Sequence, residues 1–207
     1  GFFRFLEAKS ASNRPYTING DQGLLIAHRH FDMLGGFDES LPIFEDQRMA
    51  ARIFACGRWV LLPGKLVTSA RRFEAEGHRA RHTLMAIMMG AHAAGLHEFI
   101  REAPQLYVAQ HEAARLQLAP FRRLLREILT RHRPREVLDV FWQCGRLVRE
   151  NSWQLALLRD LSRGDGQSLR FFDRRIAPLL DNPLADGVTA ALVSAWFFLW
   201  LPLQRGL

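Results

Sequence analysis

Cysteine and lysine are both scarce in this 207-residue chain, and each scarcity removes a class of explanation. Cys56 and Cys144 are its two cysteines, both in apolar, helix-like surroundings, so neither a disulfide framework nor a thiolate zinc site organises it. A reducing compartment is the expectation. Lysine occurs only at Lys9 and Lys65, so almost all the positive charge is arginine, whose planar fork suits phosphate and anionic headgroups. No aromatic-basic interleaving or recognition motif accompanies those arginines, which excludes nucleic acid as the expected partner. Internal repeats and low-complexity tracts are absent. No signal peptide opens the chain; GFFRFLEAKS lacks an initiator methionine and reads as the middle of something larger, so a fragment is expected.

What remains is an ordinary globular composition, 48% hydrophobic and 24% charged, which argues against disorder. Net charge is +7, and its placement is uneven. Residues 1–77 carry 10 basic and 9 acidic side chains, while the following 130 carry 18 and 12. The surplus therefore belongs to the C-terminal part, where it reads as a solvated surface or as a face toward an anionic membrane.

Strand-like signals fill the first part. Phe2–Leu6 combines aromatic bulk with partial alternation, and residues 8–19, with Pro15, form a connection. Gly23–Ala27 is a short continuous apolar run, the pattern of a strand covered on both faces. Arg29–Leu34 reads as a short helix closed by Gly35-Gly36. Glu45–Ala55 places Met49, Ile53 and Phe54 near one helical face, and Gly57 stops it. Trp59–Leu62 and Leu66–Thr68 read as two more strands around the turn pair Pro63-Gly64. The expected class for residues 1–77 is α/β.

From His78 onward the spacing becomes helical. Phe121, Leu124, Leu125, Ile128 and Leu129 recur behind Pro120; Val137, Leu138, Phe141, Cys144 and Val148 behind Pro134; then Leu169, Phe172, Ile176, Leu179 and Leu180. An α-helical extension over 78–207 is expected, packed as a small bundle. Met85, Met88 and Met89 read as adaptable core filler. His78 and His82 have metal-ligand spacing without a third ligand, so exposed histidines are the better reading. The glycines of Ser162–Gln167 are too few and wrongly placed to cradle phosphate. Gly187–Leu203 is 17 residues without a charge and carries Trp196, Phe197, Phe198 and Trp200. A spanning helix needs about 20 apolar residues, so buried and interfacial placements rank above spanning.

Five landmarks in the first part stand in a particular order: Gly20-Asp21-Gln22, Gly35-Gly36-Phe37, Glu45-Asp46, Leu61-Leu62-Pro63, and Thr68-Ser69-Ala70-Arg71-Arg72-Phe73. In that order they resemble the second, acceptor-side half of family 2-like glycosyltransferases, over residues 1–77. The resemblance implies the second half of a GT-A nucleotide-diphospho-sugar transferase fold. It also implies an inverting reaction that moves a sugar from a nucleotide diphosphate donor to a hydroxyl acceptor, glycan or lipid-linked.

In the resembled family the Asp of the Glu-Asp pair is the base, which lands on Asp46. A sugar hydroxyl is a poor nucleophile and needs a carboxylate within hydrogen-bond reach to take its proton. Glu45 would orient or bind acceptor. The same pair also reads as an ordinary acidic first turn. Arg71 and Arg72 would offset charge on the leaving diphosphate. Phe73 stands where related enzymes carry tryptophan in a Gln-x-x-Arg-Trp pattern, and no glutamine precedes it at that spacing; the departure favours single addition over polymer synthesis. A basic surface turn is the plainer reading of that cluster. Gly20, Asp21 and Gln22 would contact substrate hydroxyls, with Gly20 admitting a close backbone approach, or would simply form a turn.

No Asp-x-Asp occurs in the chain, so a divalent metal, Mg or Mn, is expected only through an upstream half that also binds the nucleotide. The isolated chain is then expected to be inactive. The alternative is a non-catalytic, truncated or degenerate transferase-like module that binds glycan, membrane or a partner chain. Either way a cytoplasmic location is expected, reaching to the cytoplasmic face of a membrane through peripheral association.

Overall fold

Helix-forming segments dominate the computed structural model, which describes residues 1–18, 22–56, 59–108, 110 and 115–203. In chain order they are α1 (Phe2–Ser10), α2 (His28–Met33), α3 (Glu45–Cys56), α4 (Arg71–Glu76), α5 (His78–Ala93), α6 (His97–Val108), α7 (Ala119–Arg131), α8 (Pro134–Glu150), α9 (Trp153–Arg163), α10 (Gln167–Phe171), α11 (Ala177–Leu180) and α12 (Pro183–Ala195). A π-helical turn, Phe172–Ile176, joins α10 to α11. A second, Trp196–Trp200, and a 3-10 turn, Leu201–Leu203, carry α12 onward.

No β-strand occurs among the described residues, so the expected α/β class and GT-A fold are overturned. Phe2–Leu6 lies in α1, where Phe5 turns inward at one position of a helix rich in good helix formers. Residues 23–27, 59–62 and 66–68 have no regular structure, and most of their apolar side chains face solvent: Leu25 is 84% exposed, Val60 69% and Val67 fully. Apolar content marks a segment for burial, whereas a strand is defined by a neighbour that accepts and donates its backbone hydrogen bonds. None of these runs has that neighbour among the described residues. Gly57, expected to stop α3, lies outside the described residues.

Packing divides the chain into two units, Gly1–Thr68 with Gln154–Leu169, and Ser69–Trp153 with Arg170–Leu207. The first is centred on Thr17, Ile18, Met49, Ala50 and Ile53, all buried. In it Asp160 accepts from the backbone N–H groups of Ser168 (2.7 Å) and Leu169 (2.8 Å), so the amides after Gly164 and Gly166 are already occupied by a protein carboxylate. Burial pushes that carboxyl up, but the N–H donors outweigh it and hold it below the ordinary value.

The second unit is a helical bundle whose centre is Phe99, Ile100, Phe121 and Ile128, with α6 packed on both α5 and α7. Prolines in the first turns of α7 and α8 cost no hydrogen bond there, because those N–H groups have no intrahelical acceptor. The most extensively packed helix pair among the described residues is α8 with α12. A Cβ on Gly145 would sit 2.4 Å from the Ala190 backbone nitrogen and 2.6 Å from its Cα, so only glycine allows this crossing. By contrast, a Cβ on Gly90 would meet only the Cys144 Sγ, at 3.3 Å. Burial pushes the Cys144 thiol up to about 11.

The two glycines make a matched test. Overpacking against backbone costs about 1–3 kcal/mol, and alanine returns about 1 kcal/mol of helix propensity at either site. With a backbone clash at the upper end of that range, Gly145→Ala should lower the unfolding free energy by about 2 kcal/mol in urea titration, while Gly90→Ala stays within about 0.5 kcal/mol of wild type or gains. Equal effects at the two positions would contradict the close crossing.

Candidate functional site

The acidic pair opens α3, with Glu45 exposed and Asp46 half-buried in its first turn. Asp46 Oδ1 accepts from the Gln47 backbone N–H at 2.7 Å. Phe44, immediately before the pair, has φ +70, a left-handed conformation that costs a bulky residue of order 1 kcal/mol or more and persists only where surrounding structure imposes it.

Three anchors impose it. Gln47 Nε2 donates to the carbonyl of Ile18. Arg48 pairs with Asp38 at 2.6 Å, and hydrogen bonds from the Ser40 hydroxyl and N–H, with Arg48 and Arg52 adding to them, hold the Asp38 carboxyl below its usual range. Arg52 Nη1 donates to both the Leu34 and Gly36 carbonyls at 2.9 Å, binding α3 to the turn that ends α2. That turn needs its glycines: φ is +81 at Gly35 and +66 at Gly36. Phe31 and Phe37 meet edge-to-face across it, at 5.3 Å.

Gln22 joins the same cluster. Its Nε2 donates to the Thr17 carbonyl at 3.1 Å, one residue from the carbonyl that Gln47 binds. Gln22 and the helix start that carries Glu45-Asp46 are thus tied through one buried segment, Thr17-Ile18, and Arg52 joins the Gly35-Gly36 turn to the same helix. Gly20 and Asp21 lie outside the described residues. Sequence reading missed Gln47, Arg48 and Arg52, although Arg48 and Arg52 stand four apart on α3, a spacing that places both side chains toward one neighbour.

The remaining expected residues belong to the second unit. Arg71 and Arg72 are exposed in the first turn of α4, so the expected turn after a strand is a short helix instead. Phe73 stacks on His78 with centroids 6.1 Å apart, and the Arg81 guanidinium lies over its ring at 5.1 Å. Arg81 Nη1 also donates to Glu76 (2.7 Å) and to the Tyr107 hydroxyl (3.1 Å), while Tyr107 donates to Glu76. Burial would lower the Arg81 value, but these bonds outweigh it and raise it. Burial and the bond to Glu76 also raise Tyr107. Phe73 is thereby half-buried as a packing partner, and its face is taken by Arg81.

Among the described residues no three His, Cys, Asp or Glu side chains converge to hold a metal ion. Among the described residues His78 and His82 meet no third such ligand. The divalent metal that the resemblance implies through an upstream half has no ligand set among the described residues. A shallow depression of about 300 Å³ along α7, lined by Arg122, Arg123, Arg126 and Glu127, is basic but bounded by a single helix. One helix among the described residues, Pro183–Leu203, is long and apolar enough to cross a membrane by length and composition. No protein-family model matches the chain, and neither does any curated protein or solved structure.

Proposed function

We propose that residues 1–77 supply the acceptor-side chemistry of an inverting sugar transferase, with Asp46 as the base. The observation that carries the reading is the clamp on the start of α3: Gln47, Arg48 and Arg52 fix the helix on four backbone or carboxylate partners, leaving Glu45 and Asp46 at its solvent edge. A base must be held within hydrogen-bond reach of the proton it removes, and such bracing provides that precision. In the proposed step the acceptor oxygen attacks the anomeric carbon and its proton passes to the Asp46 carboxylate. The bond from that carbon to the diphosphate breaks, and its electron pair leaves with the nucleotide. Glu45 and Gln22 are assigned to acceptor hydroxyls. Any divalent metal and the nucleotide site belong to chain outside these residues. The two cysteines are unpaired, in keeping with a cytoplasmic setting.

A second reading, a non-catalytic module that binds a partner chain, draws on the exposed Leu25, Val60, Leu62, Leu66 and Val67. One assay separates the two. Full-length protein given a panel of uridine and guanosine diphosphate sugars with hydroxyl acceptors should release nucleoside diphosphate and form a glycoside of inverted anomeric configuration. Product of retained configuration would overturn the inverting step, and no turnover with any donor would leave the module reading in its place.

A further inference from the structure

The outward face of α12 and its continuation is apolar without interruption. Leu184, Val188, Leu192, Leu199 and Leu203 follow one another at helical spacing, and each is more than half exposed. From Leu184 to Leu203 the stripe is about 28 Å long at 1.5 Å per residue. No charged residue occurs from Gly187 to Leu203. The polar groups of the helix are turned away or satisfied within it: Asp186 is buried against Arg149, Thr189 Oγ1 donates to the Ala185 carbonyl at 2.8 Å, and Ser194 Oγ to the Ala190 carbonyl at 2.8 Å. A soluble helix normally shows the reverse polarity, with its polar side outward.

We infer that this face inserts into an anionic lipid bilayer, with the helix lying in the plane of the membrane. The occupant is lipid rather than a second copy because every exposed residue from Pro183 to Leu203 is apolar. Ala191, Ala195 and Trp200 widen the stripe, whereas a protein interface is bordered by polar residues. Charge agrees: residues 78–207 hold the basic surplus, and Arg174 and Arg175 are exposed in the turn leading to α11. Trp200, 57% exposed, suits the headgroup level.

In-plane placement follows from α8. That helix is locked to α12 at the Gly145–Ala190 crossing and by the contact of Phe141 with Phe197 and Phe198. It exposes Arg135, Asp139 and Arg146, so a spanning α12 would drag those charges into hydrocarbon. Lying flat, α12 buries its stripe in the acyl boundary while α8 stays in water. The inference is independent of the transferase reading.

The test is sedimentation of the full chain with vesicles of 3:1 phosphatidylcholine to phosphatidylglycerol and with phosphatidylcholine alone. Wild type should pellet with the anionic vesicles, and 0.5 M salt should weaken binding several-fold. Leu192→Glu/Leu199→Glu, at exposed positions, should keep its helical circular dichroism and lose at least tenfold in partitioning. Arg174→Gln/Arg175→Gln should lose about fivefold or more per arginine on anionic vesicles only. Should the glutamate variant unfold, the wild-type chain decides: brominated lipids should quench its fluorescence at shallow acyl positions, and Trp200→Phe should remove most of that quenching. Wild type left in the supernatant, unchanged binding by a folded glutamate variant, a vesicle-indifferent dimer in light scattering, or resistance to alkaline carbonate extraction would each overturn the inference.

Discussion

Replacing Asp46 by asparagine should lower the turnover of the full-length protein by about a hundredfold or more, with donor affinity unchanged within about twofold. A hundredfold corresponds to about 2.7 kcal/mol of lost transition-state stabilisation, the lower range for removing a positioned base. The substitution isolates the proton because it keeps the geometry. An asparagine Oδ1 can still accept from the Gln47 N–H, and the anchors of α3 at Ile18, Asp38 and the Gly35-Gly36 turn involve other residues. The loss should fall on kcat, since a base acts in the transition state and not on the bound ground state. Arg52→Ala, which removes an anchor and no reacting group, should slacken the helix start and affect KM and kcat together. Turnover by Asp46→Asn within a few-fold of wild type would end the assignment.

How much of this was legible beforehand depends on which interaction each feature needs. The spacing behind Pro120 and Pro134 produces α7 and α8 because a helix closes its own hydrogen bonds within four residues, so local sequence carries the information. The phase of the stripes was less legible. Leu138 and Leu179 were expected inside and are 69% and 72% exposed, while Val140 is buried, because the direction a helix faces is set by its neighbours. The runs at 23–27, 59–62 and 66–68 were misread for the related reason that strand pairing is entirely non-local.

The candidate site divides along the same line. That Glu45 and Asp46 would open a helix was readable from the first-turn preference for acidic residues. That Gln47 would reach back 29 residues to Ile18, or that Arg52 would bind two carbonyls of the α2 turn, was not, since neither contact leaves a periodic trace. Phe73 was singled out for its place in a motif, whereas its packing on His78 and beneath the Arg81 guanidinium was not readable from the sequence.

The largest stability effect expected in the chain is at Arg149. Its side chain is only 10% exposed, and its Nε donates to Asp186, itself 12% exposed, while Nη1 reaches the well-solvated Asp181 at 3.0 Å. Burial would lower the arginine's value, but the hydrogen bond and charge of Asp186 outweigh it and raise it. Arg149→Met removes the only cation paired with Asp186 among the described residues and leaves a carboxylate enclosed between α8 and α12. Breaking a buried pair from one side costs about 3–5 kcal/mol, because the uncompensated charge must stay out of water. Asp186→Leu should cost less, about 2 kcal/mol, since Arg149 keeps Asp181 and Glu150 as partners. The double variant Arg149→Met/Asp186→Leu should lie near wild type, because two apolar side chains in that space carry no desolvation penalty. Urea unfolding of the four proteins gives the coupling energy directly, and about 5 kcal/mol of non-additivity is expected, the sum of the two single costs less that of the double. Simple additivity of the two single changes would mean that the pair does not clamp α12 to α8, and that the Gly145–Ala190 crossing holds the two helices without it.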